Sequence, residues 1–310
     1  MKTIDDTIDF TKYLDIPVEA AKVKPASAWV DGVVRRLSHT QQASDATLPW
    51  AKVRTKFQLR PGELTVWAGP NGSGKSLVLN QVIHNLNRQG ERACIASMEM
   101  KPEATMARMT RQAAGARNPT EEYVRAFHEW TDDRLWIFDH HGTVKRDVIL
   151  GVMNYVAEEI GVNHFVIDSL MKCGIGAVGD AAMNDQKNFV DALCAWAKDH
   201  TAHVHLVCHS RKGESSRAKM DRYDVKGAGE ITDQADNVVL VWRNKDKEED
   251  SHKPEAERDP KYREQPDSLL TVDKQRHGEW EGKIALWYDA DSMQYVETSE
   301  TPPRYLELAQ

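Results

Sequence analysis

The chain has 310 residues, 40% of them hydrophobic and 29% charged, which is enough to bury the core of one large domain with appendages. Its net charge of -7 excludes a strongly basic overall field, so any contact with nucleic acid needs a local basic patch. No apolar run is long enough to span a membrane and the acidic N-terminus lacks a signal core, so we expect a cytoplasmic protein. The four cysteines are scattered without a C-x-x-C pair, which predicts reduced core thiols and neither a zinc site nor a disulfide framework.

The first 50 residues show little periodicity, with one exception. Trp29, Val30, Val33, Val34 and Leu37 fall on one face of a helix. We therefore predict that residues 1–50 form an N-terminal tether that carries a short amphipathic linker helix.

From residue 51 to residue 295, apolar runs typical of strands alternate with helical patterns. The runs are Leu64 to Ala68, Ala93 to Met98, Leu135 to Phe138, His164 to Ile167, Val204 to Cys208 and Val238 to Trp242. Two later runs, Leu269 to Val272 and Ile284 to Trp287, follow without long helices between them. The alternation predicts an α/β fold with a mostly parallel central sheet and helices on both faces, and the last two runs predict antiparallel edge strands.

A charged segment interrupts this domain between Lys245 and Asp267, where 15 of 23 residues are charged. Three prolines in the segment disfavour regular structure. We predict a mobile surface insertion at 245–267, which is either a partner site or an ordinary solvated loop. Residues 296–310 are predicted to be a C-terminal tail.

The most specific motif lies between the first apolar run and a helical pattern. It fits G-x-x-x-x-G-K-[ST], the pattern of a phosphate-binding loop, and consists of Gly69, Pro70, Asn71, Gly72, Ser73, Gly74, Lys75 and Ser76. Its glycines let backbone N–H groups turn towards phosphate oxygens, and the following helix adds the positive end of its dipole. Lys75 is expected to reach the β- and γ-phosphates, and Ser76 to supply an oxygen ligand to Mg²⁺. The motif therefore predicts a site for a nucleoside triphosphate with Mg²⁺.

Acidic residues at the ends of two later strands complete the predicted site. Asp168 follows the run that ends at Ile167 and is the candidate for the second Mg²⁺ ligand. Ser169 comes next, where many P-loop ATPases carry Glu, so the base that orients the attacking water has to come from another strand. Glu99 is the best candidate, because it follows the second run and the carboxyl ends of parallel strands meet at one edge. A surface Glu that caps the next helix is the alternative.

His209 and the basic segment that follows it are two further candidates. His209 ends the fifth run, where it could contact the γ-phosphate and couple hydrolysis to movement, or be a structural histidine. Between Arg211 and Lys226, six residues are basic and three are acidic. This segment could hold the phosphates of a single strand or be a solvated loop.

Lys274 and Arg276 lie two residues apart at the end of a predicted strand, so both side chains should point to the same face. Two cations presented together suit a triphosphate, and an arginine can donate two hydrogen bonds to phosphoryl oxygens as an arginine finger does from another subunit. A surface ion pair with the acidic insertion is the competing explanation.

Together these elements resemble the RecA-like motor domain of DnaB-type hexameric replicative helicases, including the helicase half of phage primase-helicases and Twinkle. The resemblance spans about residues 50–295. It is carried by the P-loop, Ser97-Met98-Glu99-Met100, Ala107-Arg108-Met109, Asp168, Gln234-Ala235-Asp236 and Lys274-Gln275-Arg276. The Ser-x-Glu-Met and Lys-Gln-Arg segments are far more restrictive than the P-loop, which many families share.

The resemblance implies a role for each matching residue. Glu99 would be the catalytic base, His209 the γ-phosphate sensor, Lys274 with Arg276 the trans-acting finger, and Arg243 a nucleotide contact. The residues implied to hold single-stranded DNA are Arg211, Arg217, Lys219, Lys226, Gly227 and Gly229. His209 is similar to the phage-type motor, where bacterial proteins usually carry Gln, which implies a phage or prophage enzyme.

The resemblance also implies a replicative helicase that moves 5′ to 3′ on single-stranded DNA and hydrolyses ATP or dTTP at subunit interfaces. A finger that acts on the next subunit requires head-to-tail contacts, which close into a ring when the rotation permits, so a hexamer is implied. The helix near residues 29–37 is similar to a linker helix that packs on an adjacent motor domain, although packing on its own domain fits equally well. No primase module or helical collar is recognisable, so primase, polymerase or loader is expected on other proteins. The alternative is a RecA-like DNA-binding ATPase or recombination mediator without unwinding activity.

Overall fold

A computed structural model of the chain describes residues 25–37, 46–174, 180–210, 222–224 and 229–308. Its α-helices are α1 Val30–Leu37, α2 Lys75–Arg88, α3 Pro102–Ala114, α4 Glu121–Thr131, α5 Arg146–Tyr155, α6 Asp180–Asp199, α7 Gly229–Gln234 and α8 Lys245–Ser251. Its strands are β1 Ala46–Thr47, β2 Gln58–Leu59, β3 Leu64–Gly69, β4 Ala93–Ser97, β5 Leu135–Phe138, β6 His164–Asp168, β7 His203–His209, β8 Asn237–Arg243, β9 Ser268–Gln275, β10 Gly282–Asp289 and β11 Gln294–Val296. No helix within these ranges combines the length and apolarity needed to cross a bilayer.

The central sheet has the strand order β11-β10-β9-β8-β3-β7-β6-β4-β5. The pairs from β8 to β5 are parallel, whereas β8–β9, β9–β10 and β10–β11 are antiparallel. This arrangement confirms the predicted mostly parallel sheet with antiparallel strands at one edge. The sequence reasoning missed β11, and it also missed the separate two-stranded pair of β1 with β2.

Helices cover both faces of the sheet, and as a result the central strands are buried on both sides. On one face, Val152 of α5 and Leu193 of α6 belong to the same apolar cluster as Val66 of β3. On the other face, Ile83 of α2 and Met109 of α3 join a separate apolar cluster that contains Trp67 of the same strand. The alternation of Val66 and Trp67 is the period of two that a strand imposes.

Both ends of the α/β domain extend further than the predicted boundaries. Leu48 and Trp50 are fully buried, and the indole of Trp50 donates to the backbone oxygen of Tyr295 at 2.8 Å. At the other end, Leu306 is buried and its backbone N–H donates to Ala113 of α3 at 2.8 Å. Residues 46–50, Val296 and Leu306 therefore belong to the packed core, so parts of the predicted tether and tail are integral to the domain.

The charged segment at 245–267 contains regular structure, so the prediction that its prolines exclude it is wrong. Helix α8 spans its first seven residues, and short 3₁₀ helices follow at Glu255–Glu257 and Pro260–Tyr262. The prolines begin these turns, where the missing N–H costs little. The charges pair locally, as the buried carboxylate of Asp250 accepts hydrogen bonds from Lys253 and from the backbone of Asp259.

The short helix predicted near residue 30 is present as α1. Its apolar residues Val30, Val33 and Val34 are each at least half exposed. An amphipathic helix whose apolar side faces solvent is a candidate surface for contact with another chain.

Candidate nucleotide-binding site

The predicted site residues meet at the carboxyl edge of the parallel strands. Gly69, the first P-loop residue, lies opposite His209 in the register of β3 with β7. Ser97 lies opposite Asp168 in the register of β4 with β6, and Glu99 follows two residues later. Four neighbouring strands thus end at one place, which is where open α/β sheets bind ligands.

The P-loop makes close contacts that exclude larger residues at two of its glycines. Gly74, the residue before α2, has a φ of 91°, and a Cβ there would collide with the hydroxyl of Tyr295. A Cβ at Gly69 would meet the backbone oxygen of Val241 in β8. Gly74 is therefore required for its conformation, and both glycines are required for space.

Lys75 is buried, and its amino group donates to the backbone oxygens of Gly69 and Pro70, each at 2.9 Å. Burial lowers the pKa of Lys75, while the carboxylates of Asp168 and Glu99 act in the opposite direction. The ammonium group is thus held inside the loop, next to two carboxylates, at the start of a helix whose dipole attracts anions.

Ser76 and Asp168 lie close enough to share one cation. The Ser76 hydroxyl donates to Oδ2 of Asp168 at 2.6 Å. Burial raises the pKa of Asp168, with the hydrogen bond from Ser76 opposing the shift. One carboxylate and one hydroxyl suit Mg²⁺, which prefers oxygen ligands and keeps several sites for water and phosphate.

Glu99 is held by the residue after Asp168. The Ser169 hydroxyl donates to Oε1 of Glu99 at 3.1 Å, and Nε2 of His209 lies 3.6 Å from the same oxygen. Burial and the charge of Lys75 lower the pKa of His209, so its contact with Glu99 is that of a neutral imidazole near neutral pH. The alternative role of Glu99 as a helix cap finds no support, because α3 begins after Lys101 without any side-chain cap.

Arg243 reaches the P-loop from the end of β8. Its guanidinium donates to the backbone oxygen of Gly72 at 3.2 Å and forms a hydrogen-bonded ion pair with Glu248 of α8. The implied nucleotide contact is therefore adjacent to the loop, and the charged segment supplies its partner.

Lys274 and Arg276 lie at the end of the sheet opposite to the carboxyl ends of the parallel strands. Because β9 is antiparallel, Gln275 pairs with Asn237 at the start of β8, roughly 20 Å along that strand from Arg243. Both side chains do point the same way, as predicted, but their hydrogen bonds are with α7 and not with the acidic insertion. Lys274 donates to the backbone oxygens of Thr232 and Asp233, and Arg276 to those of Asp233 and Gln234. The pair cannot reach the P-loop of its own chain.

Most of the residues implied to hold DNA fall outside the described ranges. These are Arg211, Arg217, Lys219, Lys226 and Gly227. Gly229 is the first residue of α7. Arg222, within the same segment, is held by Asp273, which accepts from its backbone N–H at 3.1 Å.

Three residues that sequence reasoning did not single out contribute to the site. Ser169 was noted for lacking a carboxylate, but its hydroxyl orients Glu99. Tyr295 contacts Gly74 from β11, a strand that was not predicted. Glu248 pairs with Arg243 from α8, within a segment predicted to be irregular. The sequence did hold a signal for Ser169, since it follows Asp168 at the carboxyl end of a predicted strand, as Glu99 follows the second apolar run.

The strand order defines an α/β domain whose fold matches that of RecA-like helicase ATPase domains, as predicted. The chain belongs to the AAA domain family (AAA_25), which it matches over residues 33–215.

Individual relatives agree with this assignment. The chain is 22% identical over 213 residues to the Twinkle homolog protein, chloroplastic/mitochondrial, of Arabidopsis thaliana, an alignment that covers 64% of the chain and 30% of that protein. The chain thus spans less than a third of this curated relative. Its fold matches a solved DnaB-like replicative helicase with a TM-score of 0.68 and 14% identity, covering 88% of the chain and 67% of that structure. It also matches a second solved structure, which is an ATPase domain, with a TM-score of 0.67 and 13% identity, covering 87% of the chain and 99% of that domain.

Proposed function

We propose that this chain is the motor of a replicative DNA helicase, which hydrolyses ATP or dTTP and moves 5′ to 3′ along single-stranded DNA as a ring. The observation that carries the proposal is a division of the site between two sheet edges. Lys75, Ser76, Asp168 and Glu99 meet at the carboxyl edge, whereas Arg276 lies at the opposite edge of the same chain. A complete site then needs the opposite edge of a second copy.

At the nucleotide, each residue of this chain has a distinct proposed task. The ammonium group of Lys75 exchanges its hydrogen bonds to two loop carbonyls for hydrogen bonds to β- and γ-phosphate oxygens. The phosphate oxygens carry negative charge, so the new hydrogen bonds are stronger. Ser76 and Asp168 hold Mg²⁺, which would neutralise charge on the phosphates. Glu99, oriented by Ser169, accepts a hydrogen bond from the attacking water and aligns it on the γ-phosphorus.

His209 is proposed to report the state of the γ-phosphate. Its Nε2 faces Glu99, and its Nδ1 is buried without a hydrogen-bond partner among the described residues. A buried ring nitrogen that lacks a partner is costly, so a water that donates to Nδ1, or a phosphate oxygen that accepts from it in the other tautomer, stabilises one side-chain position. Only Ser210 separates His209 from the basic segment that begins at Arg211, through which this change would pass to DNA.

The assembly follows from the trans arrangement. Head-to-tail contacts bring Lys274 and Arg276 of one subunit to the nucleotide of the next, and six such contacts would close a ring. The exposed apolar side of α1 is suited to packing on a neighbouring motor domain. Primase, polymerase or loader functions would come from separate proteins, in the cytoplasm of a cell that carries the phage or prophage.

The decisive test of the trans finger is complementation between two inactive variants. Arg276→Ala should lower the DNA-stimulated ATPase rate on the order of 10³-fold, because an arginine finger stabilises charge on the transferring phosphoryl group. Lys75→Ala should be inactive as well. When the two variants are co-expressed, a subunit with an intact P-loop meets a neighbour with an intact Arg276 at about a quarter of randomly formed interfaces, so hydrolysis should partly return.

Hydrolysis that returns in the mixture also proves that both variants fold. Arg125→Ala is the matched control, because Arg125 is exposed and its pair is with Glu121 one turn away. Wild-type rates in Arg276→Ala, or no recovery in the mixture, would remove the finger from the proposal.

Forked DNA with a 5′ or 3′ tail tests unwinding and polarity. Filaments on DNA that hydrolyse but never unwind would favour the recombination-type ATPase.

A further inference from the structure

Arg243 occupies a particular position between the P-loop and the charged segment. It follows the buried part of β8, and one end of its guanidinium donates to the backbone oxygen of Gly72. The other end is hydrogen-bonded to Oε1 of Glu248 in α8. The side chain is thus fixed at two separate points, one of which belongs to the nucleotide-binding loop itself.

Helix α8 is anchored where it begins and where it ends, so Glu248 is presented from a rigid support. The buried Asn244 caps the helix by accepting from the backbone N–H of Lys247 at 3.1 Å. The amino group of Lys247 forms an ion pair with Asp267 at 2.9 Å, which ties the helix to the start of β9. At the far end, the carboxylate of Asp250 accepts twice from the backbone N–H of Asp259 and is 5% exposed.

These contacts determine how Arg243 can meet a ligand. A guanidinium is planar and carries five N–H donors, so two anchors on different nitrogens define its plane and leave further donors on the same plane. Without Glu248, the side chain would be held at Gly72 alone and would sample several rotamers. The ordering of such a long side chain costs free energy on binding, and that cost falls when the protein has already fixed the side chain.

We propose that helix α8 supports the nucleotide site, and that its Glu248 is a positioning residue that orients Arg243 for nucleotide binding. This inference rests on the proposed function, because it takes the P-loop as the nucleotide site. Glu248 acts through Arg243 and makes no contact with the nucleotide itself. It therefore contributes to affinity and leaves the chemical step to Glu99 and its neighbours.

The test is a double-mutant cycle measured by isothermal titration calorimetry with Mg²⁺ and the non-hydrolysable analogue AMP-PNP. Glu248→Ala should raise the Kd about 5- to 20-fold, as expected when the cost of ordering one long side chain is added to the binding step. In an Arg243→Ala background, the same change should alter the Kd less than about 2-fold, because the residue it positions is gone. Glu248→Gln keeps an oxygen acceptor without the charge and should fall between Glu248→Ala and wild type.

Steady-state kinetics provide the readout that a purely structural role would not produce. Glu248→Ala should raise KM for ATP by the same factor and leave kcat within about 2-fold of wild type. Glu255→Ala, at an exposed acid of the same segment, is the matched control and should match wild type in both. Unchanged or tighter binding in Glu248→Ala would overturn the inference, as would an equal loss in the Arg243→Ala background. Lys75→Ala should bind no AMP-PNP. If the wild type also failed to bind it, the nucleotide site and the proposed function would both be overturned.

Discussion

Three histidines of one strand, β7, differ sharply in their surroundings. His203 and His205 lie near the start of the strand and are essentially inaccessible to solvent, whereas His209 ends it with 18% of its side chain exposed. At the start, each ring nitrogen has a partner. At the end, Nδ1 of His209 has none among the described residues. The same residue type therefore serves the core at one edge of the sheet and is available to a ligand at the other.

The partners at the buried end determine where each proton lies. The indole N–H of Trp67 can only donate, so Nδ1 of His205 accepts it at 3.2 Å and Nε2 carries the hydrogen. That N–H donates to Nδ1 of His164 at 3.1 Å, which leaves the hydrogen of His164 facing Glu91 at 3.8 Å. The chain of hydrogen bonds runs in one direction, and no ring in it can gain a proton without losing an accepted bond.

His203 completes the same cluster with a separate pair of bonds. Its Nδ1 donates to the backbone oxygen of Arg60 at 2.7 Å, and its Nε2 accepts from the hydroxyl of Thr65 at 2.8 Å. Its ring lies 4.7 Å from that of His205 and 5.5 Å from that of His164. Satisfied and buried groups of this kind stabilise the fold, and groups with unused bonding capacity at an accessible edge are the ones that can act on a ligand.

The largest expected effect is a loss of catalytic turnover, without a loss of stability, when Glu99 at the carboxyl ends of the parallel strands is replaced. Glu99→Gln should lower kcat for ATP by about 10²- to 10⁴-fold, because the amide cannot take up the role of a base. The Kd for AMP-PNP should stay near that of wild type, and so should the urea midpoint, since Glu99 is a partly exposed residue at a strand end. Glu103→Gln, at an acidic residue in the first turn of α3, is the control. Normal turnover in Glu99→Gln would require a different base.

Substitutions within β7 test the contrast directly. His205→Ala should lower the free energy of unfolding by about 3 kcal/mol or more, because it leaves the N–H of Trp67 and Nδ1 of His164 without partners in the core. His209→Ala should change it by less than about 1 kcal/mol, yet reduce DNA-stimulated hydrolysis. Urea unfolding and ATPase rates measured on both variants check this. If both lost equal stability, the two ends of the strand would not differ in the way described.

The buried cluster should also make the stability of the fold depend on pH. Burial lowers the pKa of His203 to about 4; the hydrogen bond to the backbone of Arg60 and the charge of Asp236 oppose this shift, and the charge of Arg60 adds to it. The folded ring therefore stays neutral while the unfolded chain binds a proton below about pH 6.5. Stability should therefore be full above about pH 6.5 and fall towards pH 4, by about 3 kcal/mol from His203 alone. Burial lowers the pKa values of His164 and His205 as well, which adds in the same direction.

The control for this dependence is His203→Gln, which removes one titrating group. Its free energy of unfolding, measured in urea between about pH 6.5 and pH 5, should fall less steeply with decreasing pH than that of wild type. Identical slopes would show that His203 is not the group that responds.

Much of the fold and of the nucleotide site could be predicted from the sequence, because both depend on local patterns. Every central strand was predicted within one or two residues, since parallel strands buried on both faces read as continuous apolar runs. The polar residues at the ends of these runs, Asp168, Glu99 and His209, do lie together at one edge. Their catalytic roles stay predictions, as do those of Lys274 and Arg276.

Other parts could not be predicted because they depend on contacts far apart in the chain. Trp50 and Tyr295 are 245 residues apart and meet by a hydrogen bond, which draws both ends of the domain into the core. The charges in 245–267 suggested disorder when they were counted, but Glu248 has its partner in β8 and Lys247 has one beside β9. A count of charges carries no information on whether each has a partner.

Local sequence was sufficient for the RecA-like sheet, the P-loop and the set of polar residues at its carboxyl edge, because strand periodicity and loop geometry are properties of neighbouring residues. Packing of the whole chain was needed to establish which histidine is buried with its partners, which residue orients Glu99, and that α8 supports Arg243. It was also needed to place Arg276 away from its own P-loop. Because β9 is antiparallel to β8, the carboxyl end of β9 lies beside the amino end of β8. Those outcomes depend on which strands pair and in which direction, and pairing between distant segments is fixed only when the whole chain packs.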